Sequence, residues 1–169
     1  MKVGNAPISW GVCEIPNWGP QLPFERVLDE MAEAQYIGTE LGPWGFRPDD
    51  PEVLGEHLRR RNLSMAAAFV PVDLRSPGRL EPEWENVRQT AELLKAVGAN
   101  HIILSDGGDE KRNAIAGRLE ETERYGLSDD QWAYFGASLN ELADRVGEMG
   151  LSLSFHSHGG TYVENPKEI

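Results

Sequence analysis

The chain has 169 residues, 40% of them hydrophobic, which suits one compact domain with a buried core. Its 28 acidic residues outnumber 16 basic ones, and the formal charge of -12 repels phosphate groups, which excludes nucleic acid and anionic membranes as partners. No apolar run reaches the length of a membrane span and the first residues lack an apolar signal core, so we expect a cytoplasmic protein.

Apolar runs and helical periodicity alternate along the chain. The runs predict five strands, at residues 2–9, 38–42, 63–72, 100–107 and 151–160. The periodic segments and their capping residues predict four helices, at residues 23–36, 51–61, 81–97 and 129–150. A long loop at 10–23 carries Trp18, and an insertion at 108–127 is predicted to be part helical. Asn165, Pro166 and Glu168 predict the start of a fifth helix.

This strict alternation predicts a parallel sheet built from right-handed βαβ units. Two architectures fit it: half of a (β/α)₈ TIM barrel, made of (βα)₄ and a fifth strand, and a flavodoxin-like doubly wound open sheet. The fifth strand alternates between an apolar set, Leu151, Leu153 and Phe155, and a polar set, Ser152, Ser154, His156 and His158. One apolar and one polar face favours the barrel, whose helices lie outside. We therefore predict a single half-barrel domain over residues 1–169, truncated at the start of its fifth helix.

Glu40 lies near the carboxyl end of the second predicted strand, and His156 and His158 lie near that of the fifth. In a barrel these strand ends form the mouth where active sites gather. A carboxylate in a buried strand is costly unless paired or functional, which favours Glu40 as a catalytic residue over a structural salt bridge. Imidazoles can bind a divalent metal or move a proton, but two histidines bonded only to backbone and water fit the H-x-H spacing equally well.

Aromatic and acidic side chains follow the other strand ends. Trp10 and Trp44 lie in loops after the first two strands, where a flat ring could stack on a sugar and where plain packing fits as well. Asp106 and Asp73 end the fourth and third strands, where each could bind substrate hydroxyls or cap a turn. The site hypothesis therefore combines one carboxylate base, two histidines and a set of substrate contacts.

Four segments carry a resemblance to a known superfamily: NAPISWGV, EMAEAQYIGTELGPWG, LLKAVGANHIILSDGG and FHSHGGTYVENPKEI. They resemble the sugar phosphate isomerase/epimerase superfamily of xylose isomerase-like TIM barrels, and within it the inosose dehydratase group. The resemblance implies an enzyme that uses a divalent cation, often manganese or cobalt, for proton transfer next to a carbonyl of a polyol or keto-sugar. One departure is Gln35, which stands where the superfamily usually has the glycine that ends a helix in a left-handed turn.

By this resemblance, Glu40 matches the glutamate of the superfamily's second strand, and Trp10 and Trp44 match its mouth-lining loops. His156 stands where many members have a metal-binding glutamate, as in inosose dehydratases, and His158 matches a histidine that contacts the substrate. The superfamily's remaining metal ligands come from strands six to eight. We therefore expect that the chain alone does not bind the cation stably.

A half barrel exposes the edges of its first and fifth strands and its apolar inner face. We expect either a homodimer through the open barrel side or rearrangement into a closed, flavodoxin-like monomer. One function hypothesis is a half-barrel relative or fragment of a metal-dependent isomerase, epimerase or inosose dehydratase that is inactive alone. Another is a structural module whose site residues are relics. A third is an enzyme that is complete only as a homodimer, so enzyme activity stays open at this point.

Overall fold

The computed structural model of the chain describes residues 1–13 and 20–169. The predicted loop at 10–23 therefore includes residues, Trp18 among them, that lie outside the described residues. The fold divides into two compact units, the first formed by residues 1–69 and 89–102 and the second by residues 70–88 and 103–169. The single-domain organisation stays a prediction.

The described residues form six strands and six α-helices, with a short 3₁₀ helix at Pro7–Trp10. The strands are β1 (Gly4–Asn5), β2 (Gly38–Thr39), β3 (Ser64–Met65), β4 (Ala68–Val72), β5 (His101–Asp106) and β6 (Ser152–Phe155). The helices are α1 (Phe24–Glu33), α2 (Pro51–Arg59), α3 (Leu80–Ala96), α4 (Glu110–Ala114), α5 (Leu119–Arg124) and α6 (Asp129–Glu148). Strands and helices alternate except that β3 and β4 are consecutive, as are α4, α5 and α6. The helix α3 crosses from the second unit into the first.

Each of two three-stranded parallel sheets follows the chain order, β1-β2-β3 in one and β4-β5-β6 in the other. In the first sheet Gly4 pairs with Gly38, and Gly38 pairs in turn with Ser64. A flavodoxin-like sheet would place its first strand between two later ones, whereas here β2 lies between β1 and β3. Sequential order is the order of a barrel, so the half-barrel prediction is confirmed and the flavodoxin-like alternative is not.

Four predicted strands are wrong in extent. The first, predicted at 2–9, ends at Asn5, because Pro7 fixes its own φ and begins the 3₁₀ helix that occupies the rest of the segment. The second, predicted at 38–42, ends at Thr39. The third, predicted at 63–72, is two strands separated by residues 66–67. The amide of Ala66 still donates to the Thr39 carbonyl at 2.9 Å, and the carbonyl of Ala67 accepts from Leu41 at 2.9 Å.

The fifth predicted strand is also shorter than expected, because β6 ends at Phe155. The amide of His156 makes the last bond to the neighbouring strand, donating to the Leu104 carbonyl at 2.7 Å. Beyond it the backbone turns on itself, since His158 donates to the Val163 carbonyl at 3.1 Å. His156 and His158 thus belong to the loop after β6, residues 156–163, which we call the histidine loop.

Local signals at helix ends are confirmed. Asp50 caps α2 by accepting from the amides of the first turn, and Ser128 and Gln131 form a capping box at the start of α6. Gln35 and Asn62 end α1 and α2 with φ angles of 64° and 54°, the left-handed conformation that glycine adopts more readily. For Gln35 this conformation costs on the order of 1 kcal/mol.

The end of the chain forms the first hydrogen-bonded turn that its capping residues predict. Ile169 donates its amide to the Asn165 carbonyl at 3.2 Å, and the Asn165 side chain accepts from Lys167 at 3.0 Å. The Glu168 carboxylate accepts in return from the Asn165 amide at 3.1 Å. These reciprocal bonds are those of a capping box.

Each unit buries its own apolar face. In the first unit, α1 and α2 bury Val27, Leu28, Met31, Leu54 and Leu58. In the second, α6 buries Phe135, whose ring meets that of Phe155 on β6 edge to face at 5.8 Å. The apolar face of β6 therefore packs on a helix, as the barrel prediction requires. No helix among the described residues has the length and apolar character needed to cross a membrane.

Candidate functional site

Glu40 directly follows β2 in the first unit and is half-buried. Its amide donates to the Asn5 carbonyl at 3.1 Å, which extends the β1–β2 pairing by one residue. Its neighbours Thr39 and Leu41 are buried, so the carboxylate points away from the core that they enter. The structure therefore places this glutamate at the carboxyl end of its strand, as predicted.

Arg47 is a buried cation close to this glutamate in sequence, and only 5% of it is exposed. Its Nη2 donates to the Thr39 hydroxyl at 2.8 Å, and that hydroxyl donates to the carbonyl of Glu40 at 2.9 Å. Among the described residues its Nε and Nη1 have no hydrogen-bond partner. Burial lowers the pKa of Arg47 to about 10.

The two tryptophans occupy different environments. Trp10 donates its indole N–H to Glu30 of α1 at 2.7 Å, and its ring meets that of Tyr36 at an interplanar angle of 77°. Trp44 is 45% exposed in the turn after β2, where it can present a ring face to a ligand. The geometry of Trp10 is that of a packed side chain, whereas Trp44 keeps the freedom that stacking on a sugar needs.

His156 and His158 lie side by side in the second unit, and both are exposed. Their ring centroids are 5.5 Å apart with an interplanar angle of 81°. The Nδ1 of His158 lies 2.9 Å from the carbonyl oxygen of Gly159. Because a carbonyl only accepts, this contact requires the proton on Nδ1, which leaves the lone pair of a neutral ring on Nε2.

Asp106 ends β5 and is almost entirely buried, with 2% exposed. Its Oδ2 accepts from the amides of Gly108 at 3.1 Å and Tyr162 at 2.8 Å. Its Oδ1 is buried, has no hydrogen-bond partner among the described residues and lies 3.6 Å from Nε of Arg75. Burial raises the pKa of Asp106, although the two amides and the guanidinium oppose this effect. Asp106 thus contacts the histidine loop and not open solvent.

Arg75 lies among three carboxylates. Its Nε donates to Asp73 at 2.7 Å and its Nη1 to Asp109 at 3.2 Å, and Asp106 is the third. Burial alone would raise the pKa of Asp73 and of Asp109. The hydrogen bonds and charge of Arg75 instead hold the pKa of Asp73 below its usual range. The pKa of Asp109 is also lowered, by its hydrogen bonds and by the charge of Arg75. Asp73 also accepts the amide of Arg75 at 3.2 Å, so it caps its turn as one sequence alternative proposed.

A cavity of about 420 Å³ opens beside this cluster in the second unit. Its polar lining includes Arg75, Asp109, Lys111, Arg124 and Tyr162. The size is in the range of small-molecule sites, and the donors and acceptors on its wall suit a hydroxyl-rich ligand better than an apolar one.

The described residues do not form a complete metal site. No three of their histidine, cysteine, aspartate or glutamate side chains lie where they could hold one ion. His156 and His158 offer two imidazoles, whereas catalytic metal centres commonly use three or more protein ligands. The predicted divalent cation therefore has at most part of its ligand set among these residues.

The sequence did not reveal Arg47, Arg75 or Tyr162. Arg47 follows the GPWGF turn a few residues after β2. Its closeness to a strand end was the only local sign that it could take part in a site. Arg75 contacts partners more than 30 positions away and Tyr162 partners more than 50 away, and no local pattern encodes those contacts. Of the predicted residues, His156 and His158 come together in the second unit, where Asp106 also lies, and Trp10, Glu40 and Trp44 lie in the first.

Curated relatives cover the whole chain. Inosose dehydratase of Geobacillus kaustophilus is 33% identical over 169 residues, which are 100% of this chain and 54% of that protein. The rhizopine catabolism protein MocC of Rhizobium meliloti is 31% identical over 169 residues, which are 50% of its length. The chain thus spans about half the length of the curated relatives it matches. No family model matches the chain.

Solved structures share its fold. A xylose isomerase-like TIM barrel protein from Mycobacterium smegmatis, in complex with magnesium, has a TM-score of 0.66 at 12% identity and matches 99% of this chain and 58% of its own. The chain is thus similar over its whole length to inosose dehydratases, and it shares the fold of xylose isomerase-like TIM barrel proteins. The IOLI protein with a bound zinc atom has a TM-score of 0.65 at 14% identity and matches 99% of this chain and 56% of its own. Divalent cations thus occur in two solved structures that share the fold, and this chain matches about half of each.

Proposed function

We propose that this chain provides part of an inosose dehydratase-like site, which binds a cyclic polyol or keto-sugar but has no turnover on its own. The supporting observation is the pairing of His156 and His158 directly after β6 in a chain whose curated relatives include inosose dehydratases. Coverage of about half of those relatives, and the incomplete ligand set among the described residues, support the absence of turnover. The alternative of a purely structural module predicts no ligand binding at all.

In this proposal Glu40 would be the base of the complete site, of which this chain provides a part. Dehydration or isomerisation of a keto-sugar begins when a base removes a proton from the carbon next to the carbonyl, and the C–H electrons form an enediolate. A half-buried carboxylate at a strand end can accept that proton, and the dipole-rich surroundings of a barrel mouth suit the charge that develops.

The other residues bind and orient. His158 would donate to or accept from a substrate hydroxyl, Trp44 would stack on the sugar ring, and Asp106 would act mainly by holding the histidine loop. Trp10 remains a proposed substrate contact, through its position after β1. His156 is the proposed ligand of a manganese or cobalt ion, which would stabilise negative charge on a substrate oxygen when bound. With two imidazoles available, this chain alone is expected to bind such an ion only weakly.

Titration of the isotope-labelled chain with an inosose tests the proposal. Backbone signals of Glu40 and Trp44 in the first unit and of His158 in the second should each shift, and His158→Ala should weaken binding roughly fivefold, as loss of one hydrogen bond does. Glu52→Gln, at an exposed position in the first turn of α2, is the matched control and should bind like the wild type. Absence of any shift up to saturating ligand would rule out the binding part of the proposal and leave the structural module.

The homodimer is a second part of the proposal, and β1 supports it. This strand pairs only with β2 in its sheet, so its other edge is open among the described residues. Val3 and Ile8, on either side of it in sequence, are 40% and 59% exposed. Light scattering should give twice the 18.8 kDa of one chain, whereas a mass of 18.8 kDa at all concentrations would contradict the homodimer. A cytoplasmic location is proposed with it.

A further inference from the structure

The histidine loop is docked closely against the loop that follows β5. A Cβ at Gly108 would overlap the carbonyl oxygen of Gly160, and Gly160 itself adopts a φ of 82°. Within the histidine loop, Thr161 donates its hydroxyl to the His158 carbonyl at 2.7 Å, and the amide of His158 donates to Val163. These bonds close a tight turn, but they do not by themselves fix it to the rest of the unit.

Tyr162 makes the bonds that attach this turn to β5 and α4. Its amide donates to Oδ2 of Asp106 at 2.8 Å, and its hydroxyl donates to Oδ2 of Asp109 at 2.8 Å. The guanidinium carbons of Arg75 and Arg112 lie 4.7 Å and 5.0 Å from the centre of its ring. Tyr162 thus has two hydrogen bonds to carboxylates, one from its backbone amide and one from its hydroxyl, and its ring makes two cation–π contacts.

Arg75 in turn fixes the carboxylates that Tyr162 uses. It pairs with Asp106 and Asp109 and also donates from Nη2 to the Gly108 carbonyl at 3.1 Å. With 16% of its side chain exposed, it is held by partners on the segments after β4 and β5. Because its planar guanidinium satisfies several acceptors in fixed directions, a lysine could not replace it in full.

We propose that Tyr162, held by Arg75, is a positioning residue that fixes His158 and the orientation of the histidine pair. This inference rests on the proposed function for its consequence in ligand binding, but the positioning itself concerns the free protein. Sites that bind small molecules need their contacting side chains held by such supporting bonds, since loops alone leave them imprecise.

Two variants test it in the full chain, Tyr162→Phe and Arg75→Lys. Both should accelerate hydrogen exchange of the His158 amide about tenfold. Tyr162→Phe removes the hydroxyl bond to Asp109, and Arg75→Lys loosens the carboxylates to which Tyr162 donates. The nuclear Overhauser contact between the rings of His156 and His158 should weaken in both. Amides of β5 should exchange as in the wild type, which shows that the unit is still folded.

Matched controls are Tyr134→Phe and Arg145→Lys in the same unit. Tyr134 accepts from the Gly78 amide at 3.2 Å, and Arg145 pairs with Glu81 and Glu141. The two control variants therefore make the same chemical changes, but the contacts that they lose lie outside the histidine loop. Neither control should change the exchange of His158. Wild-type exchange and ring contacts in both Tyr162→Phe and Arg75→Lys would overturn the inference.

A parallel titration with manganese separates the inference from the proposed function. Paramagnetic broadening of the His156 and His158 ring signals in the wild type, reduced in Tyr162→Phe, supports both. A wild type without broadening counts against the proposed cation ligand, while the exchange result still decides the positioning role. If Tyr162→Phe accelerates exchange of the His158 amide but its histidine signals broaden as much as those of the wild type, the positioning of the histidine pair does not matter for manganese binding.

Discussion

Asp106 accepts the backbone N–H of Tyr162 across 56 positions of sequence, at 2.8 Å. The carboxylate that makes this bond is buried, and burial raises its pKa from the ordinary value of 3.8. The folded chain therefore binds a proton at Asp106 in a pH interval where the unfolded chain has released it. The stability contribution of this group falls as pH rises from 3.8 through the raised pKa.

We predict that Asp106→Asn, which mimics the protonated acid, becomes more stable relative to the wild type as pH rises through this interval. Urea unfolding at several pH values measures the difference. Asp73→Asn is the matched comparison with the opposite sign. The pKa of Asp73 is lowered, so the wild type gains stability over that variant as pH rises through the lowered pKa to 3.8. If the stability difference between each variant and the wild type did not change with pH, the raised pKa of Asp106 and the lowered pKa of Asp73 would both be contradicted.

Arg112 and Glu168 form a buried ion pair that connects α4 with the last turn of the chain. The guanidinium is fully buried and donates to both carboxylate oxygens, at 3.0 Å and 2.9 Å. Arg112→Met should destabilise the chain by about 3–5 kcal/mol, because it leaves a buried carboxylate without its partner.

The control for this pair is Arg118→Met. Arg118 pairs with Glu121 on the surface, where both side chains are largely exposed, and its loss should cost less than about 0.5 kcal/mol. Thermal or urea unfolding compares the two. Equal losses in both variants would mean that the buried pair contributes no more than an exposed one.

Gln35 carries backbone strain that glycine would relieve. Its φ of 64° lies in the left-handed region, so Gln35→Gly should raise the free energy of unfolding by about 0.5–1 kcal/mol. The same exchange at Gln89, inside α3, should lower it by about 1 kcal/mol, because glycine is a poor helix former. A loss of stability in both variants would contradict the account of the turn at Gln35.

Local chemistry explains which features the sequence could predict. Helix-end roles depend on hydrogen bonds or backbone angles within a few residues, as at Asp50, Ser128 and Gln35. Such roles can be predicted from the residues next to them in sequence. The alternating strands and helices likewise follow from periodicity. The strand order of a barrel was established only by the pairing seen in the structure. The alternation of apolar and polar residues in β6 was nevertheless enough to favour a barrel over an open sheet.

Contacts between distant segments explain what the sequence could not predict. The end of β6 at Phe155 depends on the turn from His158 to Val163, which takes backbone groups that a longer strand would have paired. The position of that turn depends on Tyr162 and Arg75, whose partners lie far away in sequence. The candidate residues of the site were therefore predictable by type and strand end, whereas the bonds that hold them were not.

The central claim is that this chain holds inosose-binding residues but has no turnover on its own. The direct measurement is the consumption of an inosose by the purified 169-residue chain with manganese or cobalt, followed by proton NMR. We expect the same rate for the wild type, for Glu40→Gln and for buffer with metal. A wild-type rate above both, abolished by Glu40→Gln, would contradict it and show that the chain is an enzyme by itself.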